Sequence, residues 1–88
     1  MKSYHEISFY RWRRLRWEKD SRYYEAILQQ DLWGDWVVTR AWGRRGTALG
    51  QVRNHAFNSY EDALQNLESV AVRRGKRGYN CVNVPPIQ

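Results

Sequence analysis

A single helical pattern, preceded by four strand-like runs, constrains this chain more than any other feature. Ser59 is a good N-cap with Asp62 three residues on, the capping-box arrangement of a helix start. Tyr60, Ala63, Leu64, Leu67, Val70 and Ala71 then recur at helical spacing. That spacing predicts a face that lies on a sheet, with Gly75 expected to stop the helix. Ahead of it, residues 22–30 and 36–42 are rich in β-branched and aromatic side chains, and residues 51–57 supply a returning strand. Turn signals separate the runs at residues 18–21, at 31–35 around Gly34, and at Gly43, Gly46 and Gly50. Residues 7–17 alternate at Ile7 and Phe9, meet Arg11 and Arg13 on the same phase, and recover at Leu15 and Trp17, so a bulge or a break is expected there. A short edge strand is expected within 79–84, before Pro85 and Pro86 end regular structure. The order predicts an α+β fold, an antiparallel sheet of about four to five strands with one C-terminal helix packed across it.

With 88 residues there is room for one core, so residues 1–88 are expected to form a single domain. Five Trp, six Tyr and two Phe concentrate the apolar surface in large rings that can close so small a core. The 15 cations against nine acids give a formal net charge of +6. Apart from Lys2, Lys19 and Lys76 the cations are arginines, the side chain suited to bidentate phosphate recognition. Their distribution says more than their number. Residues 36–60 carry Arg40, Arg44, Arg45 and Arg53 without one acid, and nothing after Glu68 is acidic. A basic surface that merely keeps the domain soluble is the bland reading of the same facts.

Catalytic and metal chemistry find little to work with. Cys81 is the single cysteine, so neither an intrachain disulfide nor a multi-cysteine zinc site is available, and a reducing, cytoplasmic setting is expected. His5 and His55 are isolated, and the acids at Glu61 and Asp62 and at Glu18 and Asp20 suit a helix's first turn and a polar turn. No Gly-rich stretch ends in Gly-Lys-Ser/Thr, and no apolar run approaches the roughly 18 residues of a membrane span. The expectation is a non-enzyme with no catalytic residue, no metal, no cofactor and no membrane partner.

What remains is the stretch 40–51. Its glycines permit φ > 0 and close backbone approach, Arg40, Arg44 and Arg45 offer forks for phosphate, and Trp42 offers a flat face for a sugar or base. A glycine-shaped hairpin with Trp42 in the core explains the same residues structurally. Trp42-Gly43-Arg44, followed by Gly46 and then Gly50-Gln51, resembles the signature of the WGR domain family, found beside the catalytic domain of DNA-dependent poly(ADP-ribose) polymerases and in bacterial proteins. Ser21-Arg22-Tyr23-Tyr24 resembles that family's strand opening, Phe57, Ser59 and Ala63 its helix entry, and Lys76-Arg77-Gly78-Tyr79 the close of its bacterial members. The resemblance covers residues 15–79, leaving 1–14 as a divergent strand extension and 80–88 as a tail.

The resemblance implies a sheet with one helix on it and a role in recognising DNA ends. By position, Trp42 would stack, Arg44 would bridge to other domains or hold phosphate, and Lys19, Ser21 and Arg22 would hold backbone phosphates. With Arg40, Arg45, Arg53, Lys76 and Arg77 these make the expected nucleic-acid-binding set. The expected ligand is DNA ahead of RNA, at ends, nicks or single strands, bound without sequence readout because no base-reading helix is visible. The alternative is a protein-interaction adaptor in which the basic face docks an acidic partner and an exposed Trp12 or Trp33 is the anchor. The chain itself is expected to be a monomer or weak homodimer.

Overall fold

A computed structural model of the chain describes residues 11–48 and 50–82. Five strands, β1 (Arg13–Lys19), β2 (Arg22–Gln30), β3 (Trp36–Arg44), β4 (Gly50–Phe57) and β5 (Asn80–Val82), form one antiparallel sheet in the order β4-β3-β2-β1-β5. The helix α1 (Tyr60–Lys76) lies across one face, chiefly over β3 and β2. Among the described residues no helix is long and apolar enough to cross a membrane.

Strand alternation decides which side chains meet the helix. Trp17 of β1, Tyr24, Ala26 and Leu28 of β2, and Trp36 and Val38 of β3 all point to the helix side, where they join Ala63, Leu67 and Val70 in the core. Leu28 and Val38 are the largest side chains sealed completely. A β-strand shifted by one residue would turn this whole set into water, so burial fixes the register. The β1–β2 turn needs only Asp20 and Ser21, with Asp20 at φ 54, one of the few non-glycine residues that tolerate that region.

The helix opens as its sequence says: Ser59 Oγ accepts a hydrogen bond from the Asp62 N–H at 3.1 Å. Its end differs from expectation. The helix runs through Gly75 to Lys76, with Arg77 as C-cap, and the residue at positive φ (83) is Gly78. Tyr79 N–H donates to Arg74 O and Gly78 N–H to Gly75 O, both at 3.0 Å, which is the Schellman pattern. Gly78 supplies the left-handed conformation this pattern requires, while Gly75 is tolerated within the last turn.

Of the expected N-terminal extension, residues 1–14, only 11–14 are described: Arg13 and Arg14 open β1, which among the described residues lies between β2 and β5 and not at an edge of the sheet. β1 starts at Arg13, and Trp12 packs half-buried against the core instead of standing exposed. His5, the 7–10 part of the first run, residues 83–84 of the expected edge strand, and Pro85 and Pro86 lie outside the described residues.

Candidate nucleic-acid interface

The antiparallel register stacks side chains of the helix-side face into cross-strand rows. Lys19, Arg22 and Arg44 form one row at the end of the sheet, Trp17, Tyr24, Trp42 and Gln51 the next, and Leu15, Ala26, Arg40 and Arg53 the third. Two cationic rows therefore bracket an aromatic one, each about 7 Å from it along the strands. The helix end and the residues after it set Arg74 and Tyr79 against Tyr24 of the aromatic row, in which Trp17 is buried and Trp42 half-buried.

Trp42 stacks on Tyr24 with ring centroids 5.6 Å apart and an interplanar angle of 11°. Tyr24 is held in turn by Trp17, edge-on at 6.2 Å, and by the Arg74 guanidinium 4.2 Å above its ring. Arg74 also lies 5.0 Å from the Tyr79 ring, so the helix end is fastened to the same aromatic stack. Arg40 Nη1 donates to the Tyr24 hydroxyl at 3.3 Å, and its guanidinium sits 6.0 Å from the Trp42 ring. Trp42 is thus neither sealed in the core nor free of it: one ring face packs on Tyr24, and the residue also lines a shallow pocket of about 260 Å³ with Gly43, Arg44, Thr47, Gly50 and Gln51.

The loop after Trp42 is shaped by two glycines. Gly46 turns the chain at φ 76. Gly50 has no room for a Cβ, which would fall 2.8 Å from Trp42 O and 3.1 Å from the Tyr23 hydroxyl. The loop is tied back to the β1–β2 turn by Arg45 N–H donating to Ser21 O at 2.7 Å and Arg44 Nη1 to Ser21 Oγ at 3.3 Å. The helix end joins the same place, since Lys19 Nζ donates to Arg77 O at 2.7 Å.

Eight of the ten residues expected in the site come to this end of the molecule, while Arg40 and Arg53 pair with each other in the middle of β3 and β4, and the ten are not equivalent. Among the described residues Arg22, Arg40, Arg44, Arg53 and Lys76 have no carboxylate within 4.0 Å. Arg45 is partly compensated, with Glu18 Oε1 at 3.6 Å from its Nη2 and Asp20 O accepting from its Nη1 at 3.1 Å. Lys19 is engaged in capping the helix, and Ser21 in holding Arg44. Sequence reasoning missed Tyr24, Arg74 and Tyr79 as the support beneath Trp42. Tyr24 shares the phase of Leu28 and reads as core, and only the β2–β3 register brings it opposite Trp42. Among the described residues no group of three or more His, Cys, Asp or Glu is placed to hold a metal ion.

The sequence has relatives among known proteins. An uncharacterized protein, y4dW of Sinorhizobium fredii (strain NBRC 101917 / NGR234), is 39% identical over 59 residues, which is 67% of this chain. The chain spans only 28% of that relative's length. No solved structure matches with significance. The family model of the WGR domain matches residues 8–84, and no catalytic family is indicated. With nearly the whole sheet and helix inside that match, this chain belongs to the WGR domain family.

Proposed function

We propose that the domain is a non-catalytic nucleic-acid-binding module that takes DNA ends, nicks or single strands without reading sequence. The observation that carries this reading is the half-buried Trp42, stacked on Tyr24 and bracketed by two rows of cations whose members Arg22, Arg40, Arg44 and Arg53 have no carboxylate within 4.0 Å among the described residues. A supported indole offers a stacking surface that needs little ordering on binding, and guanidinium forks on both sides can follow a phosphate backbone. A cytoplasmic setting belongs to the same reading, which the exposed free thiol of Cys81 supports.

The test is a fluorescence-anisotropy titration at low and moderate salt against blunt, nicked and single-stranded DNA and matched RNA. Affinity that falls steeply with salt, together with a preference among ends or strands, supports the proposal. Equal, weak binding to every polyanion, unchanged in a folded Trp42→Ala variant, overturns it. The adaptor reading has its own observation at the opposite end of the sheet, where Leu32 and Trp33 are 91% and 83% exposed.

A further inference from the structure

We propose that the β2–β3 turn of one copy of this chain docks, Trp33 first, into the pocket beside Trp42 of a second copy, joining copies head to tail. The turn is built to hold its apolar side chains out. Asp31 Oδ1 accepts from the N–H groups of Trp33 at 3.0 Å and Asp35 at 2.9 Å. Asp31 N–H donates to Asp35 O at 2.9 Å and Gly34 N–H to Asp31 O at 3.1 Å, while Gln30 Nε2 donates to Gly34 O at 2.9 Å. Five hydrogen bonds thus fix a turn whose Leu32 and Trp33 touch almost nothing. A large ring whose backbone is already ordered, yet whose surface is still in water, is the arrangement of an interface anchor, because binding then buries apolar area at little further cost in entropy.

The surroundings of the turn define what it fits. Asp31 and Asp35 flank the two apolar residues, and the helix start with Glu61 and Asp62 stands at the same end, where Tyr60 meets Trp36 edge-on at 4.9 Å. Four acids, Asp31, Asp35, Glu61 and Asp62, thus gather at this end of a chain whose net charge is +6, with Arg11 over the Tyr60 ring at 5.2 Å beside them. Its complement is a ring-sized recess with a cationic rim. The pocket of about 260 Å³ at the other end of the sheet has that character, with Trp42 as one wall, Arg44 at its mouth and Arg22 in the adjoining row. There an indole can lie against Trp42 and beneath a guanidinium, while the aspartates meet arginines that have no carboxylate within 4.0 Å among the described residues. Turn and pocket lie at opposite ends of the nine-residue strands β2 and β3, about 30 Å apart, so a copy cannot fill its own pocket. The contact is heterologous and repeats from copy to copy. It stands independently of the nucleic-acid reading, and because both use Trp42 the two occupants exclude each other.

Sedimentation velocity of the full chain without nucleic acid, at low salt and rising concentration, tests the proposal. Wild type sediments faster as concentration rises. Trp33→Ala and Arg44→Glu, each shown to be folded by circular dichroism, associate roughly tenfold or more weakly. Mixed in equal amounts, these two variants re-form a complex that stops at two copies, because one brings an intact pocket and the other an intact turn. A wild type that stays monomeric throughout overturns the proposal. So does a mixture that fails to associate, the result of a symmetric interface. Association that survives Trp33→Ala but is lost in Val52→Lys overturns it too, assigning the contact to pairing of the exposed edge strand β4.

Discussion

The two faces of the sheet carry arginines at alternate positions of the same strands, yet treat them in opposite ways. On the uncovered face Arg14, Arg16 and Arg45 share Glu18 and Glu25 in a ladder of ion pairs at 3.0 to 3.6 Å, with Arg16 also over the Tyr23 ring at 4.7 Å. Burial works against the charge of Arg16, but its hydrogen bonds and attraction to Glu18 and Glu25 outweigh that cost and raise its pKa above the ordinary arginine value. On the helix side Arg22, Arg40, Arg44 and Arg53 have no carboxylate within 4.0 Å among the described residues. Net charge therefore says little about where a polyanion would bind. What matters is the strand phase on which the acids fall, and Glu18 and Glu25 both fall on the uncovered one.

The largest effect expected from this contrast concerns stability. Leu28→Ala removes a sealed side chain from the helix side and should cost about 2–5 kcal/mol in chemical denaturation, while Val52→Ala on the uncovered face should stay within about 0.5 kcal/mol. Similar losses would break the contrast. Gly50→Ala should cost about 1–3 kcal/mol, read as a drop in Tm, because its Cβ has backbone in the way. For nucleic acid, Trp42→Ala should weaken binding by about 1–3 kcal/mol in anisotropy titrations, and Tyr23→Ala, whose ring lies on the uncovered face, should leave affinity unchanged. Loss in both would mean that the ligand wraps the sheet. The smallest effect sharpens the assignment of charge. Arg53→Gln should reduce the slope of log K against log salt by about 1, and Arg16→Gln should leave that slope unchanged while costing under about 1 kcal/mol of stability.

Much of this architecture is legible in the sequence because it is set by local rules. The limits of β2, the turn at 31–35 and the Ser59 cap all follow from alternation, turn residues and capping chemistry within a few positions. The errors arise where distant residues decide. Gly75 and Gly78 are equally able to end a helix, and the choice of Gly78 accompanies Arg74 and Tyr79 packing on Tyr24. The interior place of β1 depends on β5 returning to pair with it, Trp17 opposite Cys81, 64 positions on from 17 to 81, which periodicity cannot announce. The same holds for the site. Trp42 and its arginines are visible as a cluster in the chain, but the neutralising of Arg45 by Glu18 crosses 27 positions, from 18 to 45, and needs the fold to exist first.

Tyr24 is only 7% exposed and belongs to the core, yet its ring is the surface on which Trp42 rests. In the proposed function, recognition and folding share one side chain. A ligand pressed on the outer face of Trp42 would brace the sheet beneath it, so by mass action occupancy at 100 times Kd should raise the unfolding free energy by about 2.7 kcal/mol. Thermal melting could then serve as a binding assay, reporting the ligand through the stability of the domain that holds it.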